Sequence, residues 1–417
     1  MRLPTGIPNV KLPRLGARSS SGADVVGLDI QPGFVAAVEA RVNGSIVAQR
    51  AASSPLAADT MRDGEVLDDL ALAEVLRDMF RDSGLGKRVR VGVANQRTVL
   101  RTLELPPVSD EKELAAAITF QAQDHVPMPL NNAVLDFHAL GVVDTPAGPR
   151  QRVVLVAAQR DMIERLLAGV RAAGLTPAGV DLSAFALIRS LYRRDPEETG
   201  RVLYLNVDGL TNLAIADGPV CRFTRVVGSG LEGMAIELAE RRGIALAEAR
   251  DLLAAIDLTV PPSAAETATQ PVTAPQDGAD SDDPEGGEAP AEGPEAAAVE
   301  PAGPDAHEDP VPVQAPALVG GADADVWSVL ENGVRDIAGE VRNSLDFHRS
   351  QDEGGEVSHV VLSGAAEAIP GFAESLQLAL GVEVRPRAVG VADGDLAPGS
   401  EHRLAIAAGL AAAEAPQ

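Results

Sequence analysis

The sequence of 417 residues is long enough for two or more domains, and its 45% apolar content is sufficient for folded cores. It lacks a continuous run of about 18 apolar residues, so we expect neither a membrane span nor a signal peptide and place the chain in the cytoplasm. A single cysteine excludes an internal disulfide, and six scattered histidines without metal-ligand spacing disfavour a metalloenzyme.

About half of the net charge of −26 lies in one segment of the chain. Residues 261–321 contain acids, Pro, Gly and Ala but no Lys or Arg, and such a composition cannot offset the entropy of folding. We therefore predict a disordered acidic insert there, with an acidic docking strip for a basic partner as the alternative. The acidity also disfavours nucleic acid as a partner. Residues 1–23 contain Arg and Lys without acids and are predicted to form a flexible basic tail.

Deleting residues 261–321 is expected to leave the melting temperature within a few degrees of that of the full chain, because an unpacked segment contributes little to the folded state. Thermal unfolding of the deletion variant and the full chain, measured side by side, checks this. A large drop in melting temperature, or a loss of cooperativity, would show that the segment folds as part of the protein.

The folded part begins with a β-hairpin. The stretch VVGLDIQPGFVAAVEA, residues 25–40, predicts strand, turn and strand, with Gln31-Pro32-Gly33 in the turn and Asp29 at its mouth. The next predicted elements are a strand, a helix and a strand, at residues 45–48, 68–82 and 88–94. We assign residues 24–95, completed by residues 181–200, to the core of a first lobe.

A compact β-α unit is predicted inside this lobe, over residues 96–180. It consists of a strand, a helix with acids in its first turn, two further strands and a second helix. In chain order these are RTVLRTLELPP, SDEKELAAAITFQAQDHV, AVLDFHALG, QRVVLVAAQ and RDMIERLLAGVRAAGL.

The second half repeats the opening pattern. The stretch RVLYLNVDGLTNLAIADGPVCRF predicts three strands joined by tight turns, with Asp208-Gly209 in the first turn. Further on, HVVLSGAAEAIPGFAESLQLALGVEV predicts a buried strand ending at Ser363-Gly364 and then a helix. Two α/β domains that each begin with a hairpin, with their turns facing each other, are typical of the actin and sugar-kinase fold. We assign residues 201–260 and 322–417 to the second lobe.

Four stretches resemble the PilM family of type IV pilus assembly proteins, relatives of the cell-division protein FtsA. They are RTLELPPVSDEKELAAAITFQAQDHVPMPL, LVAAQRDMIERLLAGVRAAGLTPAGVDLSAFALIR, EVRNSLDFHRSQ and LSGAAEAIPGFAESL. The resemblance implies an α/β, actin-like (ribonuclease H-like) fold of two lobes, with the β-α unit as an FtsA-like subdomain inserted in the first lobe. It also implies ATP with magnesium in the cleft between the lobes.

Two functions of different classes follow from this resemblance. The first is a cytoplasmic adaptor that binds the tail of the membrane protein PilN and so joins the inner-membrane pilus platform at the inner face of the cell membrane. The second is an ATP-dependent switch or ATPase of the actin and FtsA class, in cell division or pilus assembly. FtsA-like chains end in an amphipathic membrane-binding helix, whereas the stretch LAIAAGLAAAEAPQ lacks the Lys and Arg of such a helix. We therefore favour the adaptor, with weak or absent ATPase activity, and leave homo-oligomer formation open.

The positions that the resemblance assigns to a nucleotide depart from the family pattern. In the first hairpin Asp29 matches, but Gln31 replaces a glycine and Ala36 a lysine; in the second, Asp208 replaces a glycine. ATP carries about four negative charges, so a lost lysine and an added carboxylate both disfavour it. The other implied positions are Gly33, Gly209, Thr211, Gly228, Gly230, Gly364 and Ala365, with Arg250 and Leu253 near the ribose. We favour packed turns without a ligand; a slowly hydrolysed nucleotide and an active ATPase are the alternatives.

The inserted unit is the predicted site of tail binding. A β-α unit offers an apolar groove and strand edges, which can capture a short extended segment. The candidate residues are Leu103, Leu105, Phe120 and Val126, each of which can alternatively belong to the core. The acidic surface of the chain favours a tail that contains Lys or Arg.

Overall fold

The computed structural model describes residues 25–146, 148–194, 200–262, 323–351, 355–392 and 399–412. The predicted tail and nearly all of the predicted acidic insert lie outside these ranges, and both stay predictions. Within the described ranges, no helix combines the length and apolar character needed to cross a membrane. The same residues contain no group of three or more His, Cys, Asp and Glu side chains placed to hold a metal ion.

Strands and helices alternate along the described chain. The strands are β1 (Val26–Gln31), β2 (Phe34–Val42), β3 (Ile46–Pro55), β4 (Met61–Arg62), β5 (Glu65–Val66), β6 (Arg88–Val93), β7 (Val99–Leu105), β8 (Ala133–Thr145), β9 (Gly148–Gln159), β10 (Thr176–Leu182), β11 (Arg201–Val207), β12 (Thr211–Asp217), β13 (Val220–Val227), β14 (Val357–Ser363), β15 (Val384–Pro386) and β16 (Gly390–Val391). The α-helices are α1 (Asp69–Ser83), α2 (Glu111–His125), α3 (Arg160–Ala172), α4 (Ser183–Leu191), α5 (Leu231–Arg242), α6 (Leu246–Ala255), α7 (Ala324–Arg349), α8 (Phe372–Leu380) and α9 (Ala405–Ala411). Short 3₁₀ helices occur at Leu130–Asn132, Ala365–Ala368 and Ser400–Arg403.

Two mixed sheets, each beginning with one of the predicted hairpins, define two lobes. The first lobe has the strand order β10-β6-β1-β2-β3-β16, and the second has the order β13-β12-β11-β14-β15. The hairpin strands β1–β2 and β11–β12 are antiparallel, whereas β1 pairs in parallel with β6 and β11 with β14. The second lobe therefore repeats the strand order and pairing of the first, and the turns of the two hairpins occupy equivalent positions.

Helices α4 and α9 lie in a core that the two sheets share. Their side chains form one buried cluster with Phe34 and Ala36 of β2 and with Tyr204 and Ala214 of the second sheet. The backbones approach closely: a Cβ at Gly409 of α9 would lie 1.9 Å from the Ala186 carbonyl oxygen of α4. Since even a methyl group does not fit at this crossing, glycine is required there.

Two arginines bind the carboxyl-terminal end of α9. The Arg189 guanidinium of α4 donates to the carbonyl oxygen of Gly409 at 2.7 Å and to Asp181 Oδ2 at 2.8 Å. The Arg90 guanidinium of β6 donates to the Leu410 carbonyl oxygen at 2.6 Å. The last carbonyl groups of a helix have no partner within it, and cations are favourable there. The arginines therefore fix α9 against the first lobe.

A separate three-stranded sheet, with the order β7-β9-β8, lies between β6 and α3 in the chain. Its core is formed with α2. In contrast, α3 shares a core with α1 and the first sheet, and β10 pairs in parallel with β6. The small sheet and α2 thus occupy residues 99–159, and residues 160–182 return to the first lobe. The predicted limit at residue 180 consequently lies within a strand of the first-lobe sheet.

Candidate functional site

The turns of the two hairpins contact each other directly. A Cβ at Gly209 would lie only 2.0 Å from the carbonyl oxygen of Pro32. The backbone N–H of Leu210 also donates to Gln31 Oε1, over a long 3.5 Å. Pro32 has no backbone N–H that could donate to a ligand. The group of Pro32 that faces Gly209 is its carbonyl oxygen. The fold therefore brings together the two loops that the resemblance assigned to phosphate. They are in direct contact, however, and leave no gap for a phosphate group at this point.

Two carboxylates are buried beside these turns. Asp29 and Asp208 are each 1% exposed. Gln31 Nε2 donates to Asp29 Oδ2 at 2.8 Å. Burial raises the pKa of Asp29 from 3.8 to about 7; the Gln31 hydrogen bond lowers it, and the charge of Asp208 raises it further. Burial likewise raises the pKa of Asp208 to about 6, although the charge of Arg403 and the backbone N–H of Ala365 lower it.

The stability of the fold is expected to contain a component that falls as pH rises from about 4 to about 7. Asp29 has a pKa of about 7 in the folded state against an ordinary value of 3.8, so the folded chain binds more protons in this range. Ionising the buried carboxylate therefore favours unfolding. Asp208 acts with the same sign up to about pH 6.

An Asp29→Asn variant tests this component, because asparagine keeps an oxygen acceptor for Gln31 but cannot ionise. Urea denaturation of the wild type and the variant at about pH 5 and about pH 8 measures the difference. The wild type should lose more stability than the variant between the two pH values. Equal losses would show that Asp29 does not titrate in this range.

An ion pair on α5 and α6 reaches across to the first hairpin. Arg250 donates to both carboxylate oxygens of Glu232, at 2.5 and 2.8 Å, a bidentate geometry. Arg250 Nη2 also donates to the Leu56 carbonyl oxygen, just after β3, at 3.3 Å. Gly33 has a φ of +86°, and a Cβ there would lie 2.4 Å from Glu232 Oε2. Only glycine therefore fits between the turn and this carboxylate.

Arg403 lies between the hairpins as well, from the 3₁₀ helix that precedes α9. Its guanidinium carbon is 4.6 Å from the ring centroid of Phe34, the first residue of β2. Its Nε lies 3.3 Å from Asp208 Oδ1, at the end of the second lobe's first strand. This one side chain consequently links both hairpins by a cation–π contact and an ion pair.

The turn at Gly228-Ser229-Gly230 packs against the second hairpin. The Leu231 N–H, at the start of α5, donates to the Asp208 carbonyl oxygen at 2.7 Å. Thr211 Oγ1 donates to the Ser229 carbonyl oxygen at 2.6 Å. A Cβ at Gly230 would lie 2.5 Å from the Gly209 carbonyl oxygen, and one at Gly228 would lie 3.1 Å from Gln96 Nε2. The Thr211 hydroxyl, which the resemblance assigned to the phosphate site, thus donates to a backbone carbonyl of the chain itself.

Two residues that the resemblance assigned to the nucleotide, Leu253 and Gly364, are buried in the second lobe. Leu253 is 3% exposed and packs in a cluster that includes Leu258 and Ile369. The Leu258 N–H donates to the Pro370 carbonyl oxygen at 2.9 Å, which joins the end of α6 to the loop before α8. Gly364, followed by Ala365, has a φ of +92°, and a Cβ there would lie 2.4 Å from the backbone of β11.

Three of the four residues predicted to bind a partner are core residues. Leu103, Leu105 and Val126 are between 3% and 6% exposed and pack between the small sheet and α2. Successive side chains of a strand point to opposite faces, and α2 covers the face of β7 that carries both leucines. In contrast, Phe120 is 67% exposed on α2. Of the predicted set, only Phe120 therefore offers a partner a large surface.

Two clefts were not anticipated from the sequence. One, of about 340 Å³, lies where the small sheet meets α3, lined by Met128, Pro129, Asn132, Gln159, Arg160, Asp161 and Glu164. The other, of about 810 Å³, is polar and lies along α7, with Gln96, Gly228, Ser229, Arg335 and Glu340 among its lining residues.

Comparison with known proteins matches residues 27–201 to the family model of the type IV pilus assembly protein PilM. This match confirms the resemblance to the PilM family. A solved PilM-PilN type IV pilus biogenesis complex is 20% identical, covers 93% of this chain and 98% of that chain, and has a TM-score of 0.66. At this identity the likeness concerns the fold, and it confirms the predicted actin-like architecture.

Two further structures show weaker likeness. The ethanolamine utilization protein EutJ from Carboxydothermus hydrogenoformans is 13% identical, with 95% of this chain and 92% of that chain covered and a TM-score of 0.47. MreB 5 of Spiroplasma citri, bound to AMPPNP, is 11% identical, with 94% and 95% covered and a TM-score of 0.44.

The PilM resemblance implies a nucleotide between the hairpins, but the residues present do not fit a triphosphate. The contact between Pro32 and Gly209 leaves less room than a methyl group needs. The arginines at this contact, Arg250 and Arg403, pair with carboxylates of the chain. Asp208 would add a negative charge beside phosphate oxygens. In this arrangement, the two turns are in direct contact.

Proposed function

We propose that this chain is an actin-like adaptor of the type IV pilus assembly machine and binds the cytoplasmic tail of PilN. The observation that carries the proposal is the match of residues 27–201 to the PilM model, since this range contains the whole small sheet. The similar solved structure is a PilM-PilN complex, and its likeness extends over nearly the full length of both chains. The adaptor acts at the cytoplasmic face of the inner membrane, where it joins the pilus platform through PilN.

We place the tail in the cleft between the small sheet and α3. Met128 and Pro129 supply apolar surface, and Asp161 and Glu164 supply exposed carboxylates. Arg160, the cation of this cleft, donates to the Ala133 carbonyl oxygen at 2.7 Å. An extended segment with apolar side chains and at least one Lys or Arg complements such a surface. This cleft takes the place of Leu103, Leu105 and Val126, whose side chains are buried in the core.

Titration of a synthetic PilN tail from the same genome tests both parts of the proposal. Glu164→Lys should weaken binding about ten-fold at low salt, equivalent to about 1.4 kcal/mol, because it reverses a charge in the cleft. Glu374→Lys, at an exposed position of α8 in the other lobe, is the matched control and should bind like the wild type. Phe120→Ala tests the outer surface of α2 in the same assay.

The outcomes separate the two parts. If the wild type does not bind the tail at any accessible concentration, the adaptor function is wrong. If the wild type binds and Glu164→Lys binds equally well, the function stands and the cleft is not the site. A loss caused by Phe120→Ala alone would move the site to the surface of α2.

A further inference from the structure

We propose that this chain holds its two lobes together with its own side chains, in the place where the family resemblance implies a nucleotide, and that it is closed without one. The residues concerned form what we call the interlobe contact: Gln31–Gly33, Asp208–Leu210, Glu232, Arg250 and Arg403. The inference does not depend on the identity of the partner. It concerns the state of the lobes and not the surface that binds PilN.

The hairpin turns supply the first part of the interlobe contact. Gln31 uses both ends of its amide, since Nε2 donates to Asp29 and Oε1 accepts from the Leu210 N–H of the other lobe. A glycine at this position, as the family pattern has it, would make neither bond. The substitution that removes a phosphate-binding glycine thus also provides a bridge between the hairpins.

The ion pair of Arg250 and Glu232 supplies the second part. The Glu232 side chain is 8% exposed and the Arg250 side chain 26%, so the pair is largely shielded from water. Glu232 lies against Gly33, and Arg250 donates to the Leu56 carbonyl oxygen. Leu56 in turn donates its N–H to the Gly33 carbonyl oxygen at 3.0 Å. Both residues of the pair belong to the second lobe. The pair therefore contacts the first lobe at two points, the turn at Gly33 and the backbone at Leu56.

Arg403 completes the interlobe contact. It places a positive charge between Phe34 and the buried carboxylate of Asp208. A bound triphosphate would have to separate the turns, and it would meet the carboxylates of Asp208 and Glu232. A ligand that binds only an open form loses apparent affinity in proportion to the rarity of that form. Nucleotide is therefore excluded by the same contacts that close the lobes.

The experiment compares two arginines of neighbouring helices by hydrogen exchange and thermal unfolding. Arg250→Ala removes the pair with Glu232 that contacts the first hairpin, whereas Arg241→Ala removes an exposed pair with Glu237 on α5. In Arg250→Ala, amide exchange at residues 31, 33–35, 56 and 57 should become at least ten-fold faster. In Arg241→Ala, the same amides should exchange as in the wild type. Glu232→Gln, which removes the negative charge and can accept only one of the two hydrogen bonds from Arg250, serves if Arg250→Ala fails to fold.

A second measurement adds Mg²⁺ with ATP, and separately ADP, to the wild type. Neither should raise the melting temperature nor slow exchange at the hairpin turns, even at millimolar concentration. A saturable rise in melting temperature with either nucleotide would overturn the proposal. So would equal exchange at residues 31 and 33–35 in the wild type, Arg250→Ala and Glu232→Gln, because the pair would then not hold the turn.

Discussion

Replacing Arg189 with methionine is expected to lower the free energy of unfolding by about 3–5 kcal/mol. The side chains of Arg189 and Asp181 are 7% and 9% exposed, so the variant leaves a carboxylate buried without its ion-pair partner. It also removes the donor to the Gly409 carbonyl oxygen at the end of α9. Urea denaturation at neutral pH measures the loss.

Two further variants identify the cause of this loss. Adding Asp181→Asn to Arg189→Met should restore part of the stability, because the unpaired charge is removed while Asn still accepts the Leu182 N–H. Arg81→Met, which removes exposed pairs with Asp78 and Asp82, should leave the unfolding midpoint unchanged. If the single and double variants at Arg189 and Asp181 are equally unstable, lost packing and not the buried charge is the cause.

Replacing Gly409 with alanine is expected to destabilise the fold by about 3 kcal/mol or more, at the upper end of the range for overpacking. The added Cβ would lie 1.9 Å from a carbonyl oxygen of α4, so the two helices must separate or bend. Gly339→Ala on α7 is the matched control, since no atom lies within 4 Å of its added Cβ. Alanine favours a helix, so this control should gain about 0.5–1 kcal/mol.

Thermal and urea unfolding of both variants measure this contrast. Similar midpoints for Gly409→Ala and Gly339→Ala would show that α9 can move away from α4 at little cost. The core between the two sheets would then be looser than the close approach of the helices indicates.

The hairpins of both lobes were predictable because their signals are local. Alternating apolar residues and a Gly-containing turn predicted strands at residues 25–30 and 34–40, and the structure has them at Val26–Gln31 and Phe34–Val42. The repeat of this pattern at residues 201–223 then indicated a duplicated fold. Such patterns depend only on residues that are close in sequence, so they can be recognised without any knowledge of tertiary packing.

The role of an apolar strand face was not predictable in the same way. Alternation in β7 showed that Leu103 and Leu105 share one face, but not whether a helix of the chain or a partner covers it. The structure has α2 on that face. Similarly, the amphipathic sequence of α3 shows that one face of the helix is buried, but not which element covers that face. Its packing against α1 in the first lobe could therefore not be inferred from its own residues.

At the hairpin site, the sequence revealed which nucleotide-binding residues of the family pattern are missing, but not which contacts within the chain take their place. Gln31 and Ala36 stand where the family pattern has glycine and lysine, and this departure can be recognised from the sequence of this chain alone. The pairing of Arg250 with Glu232 joins two different helices, and the contact of Arg403 with Phe34 spans nearly the whole chain. Contacts between such distant residues leave no local pattern.

The position of α9 has a consequence for the synthesis of this protein. Residues 405–412 complete the buried cluster that also contains Phe34 and Ala36. At about 5–20 residues per second, a ribosome needs on the order of tens of seconds to proceed from β2 to α9. During that time the apolar face of the first sheet has no α9 to cover it, so we expect chaperones to bind the nascent chain. A chain shortened before α9 would not give a smaller folded protein, but two lobes that each expose part of an unfinished core.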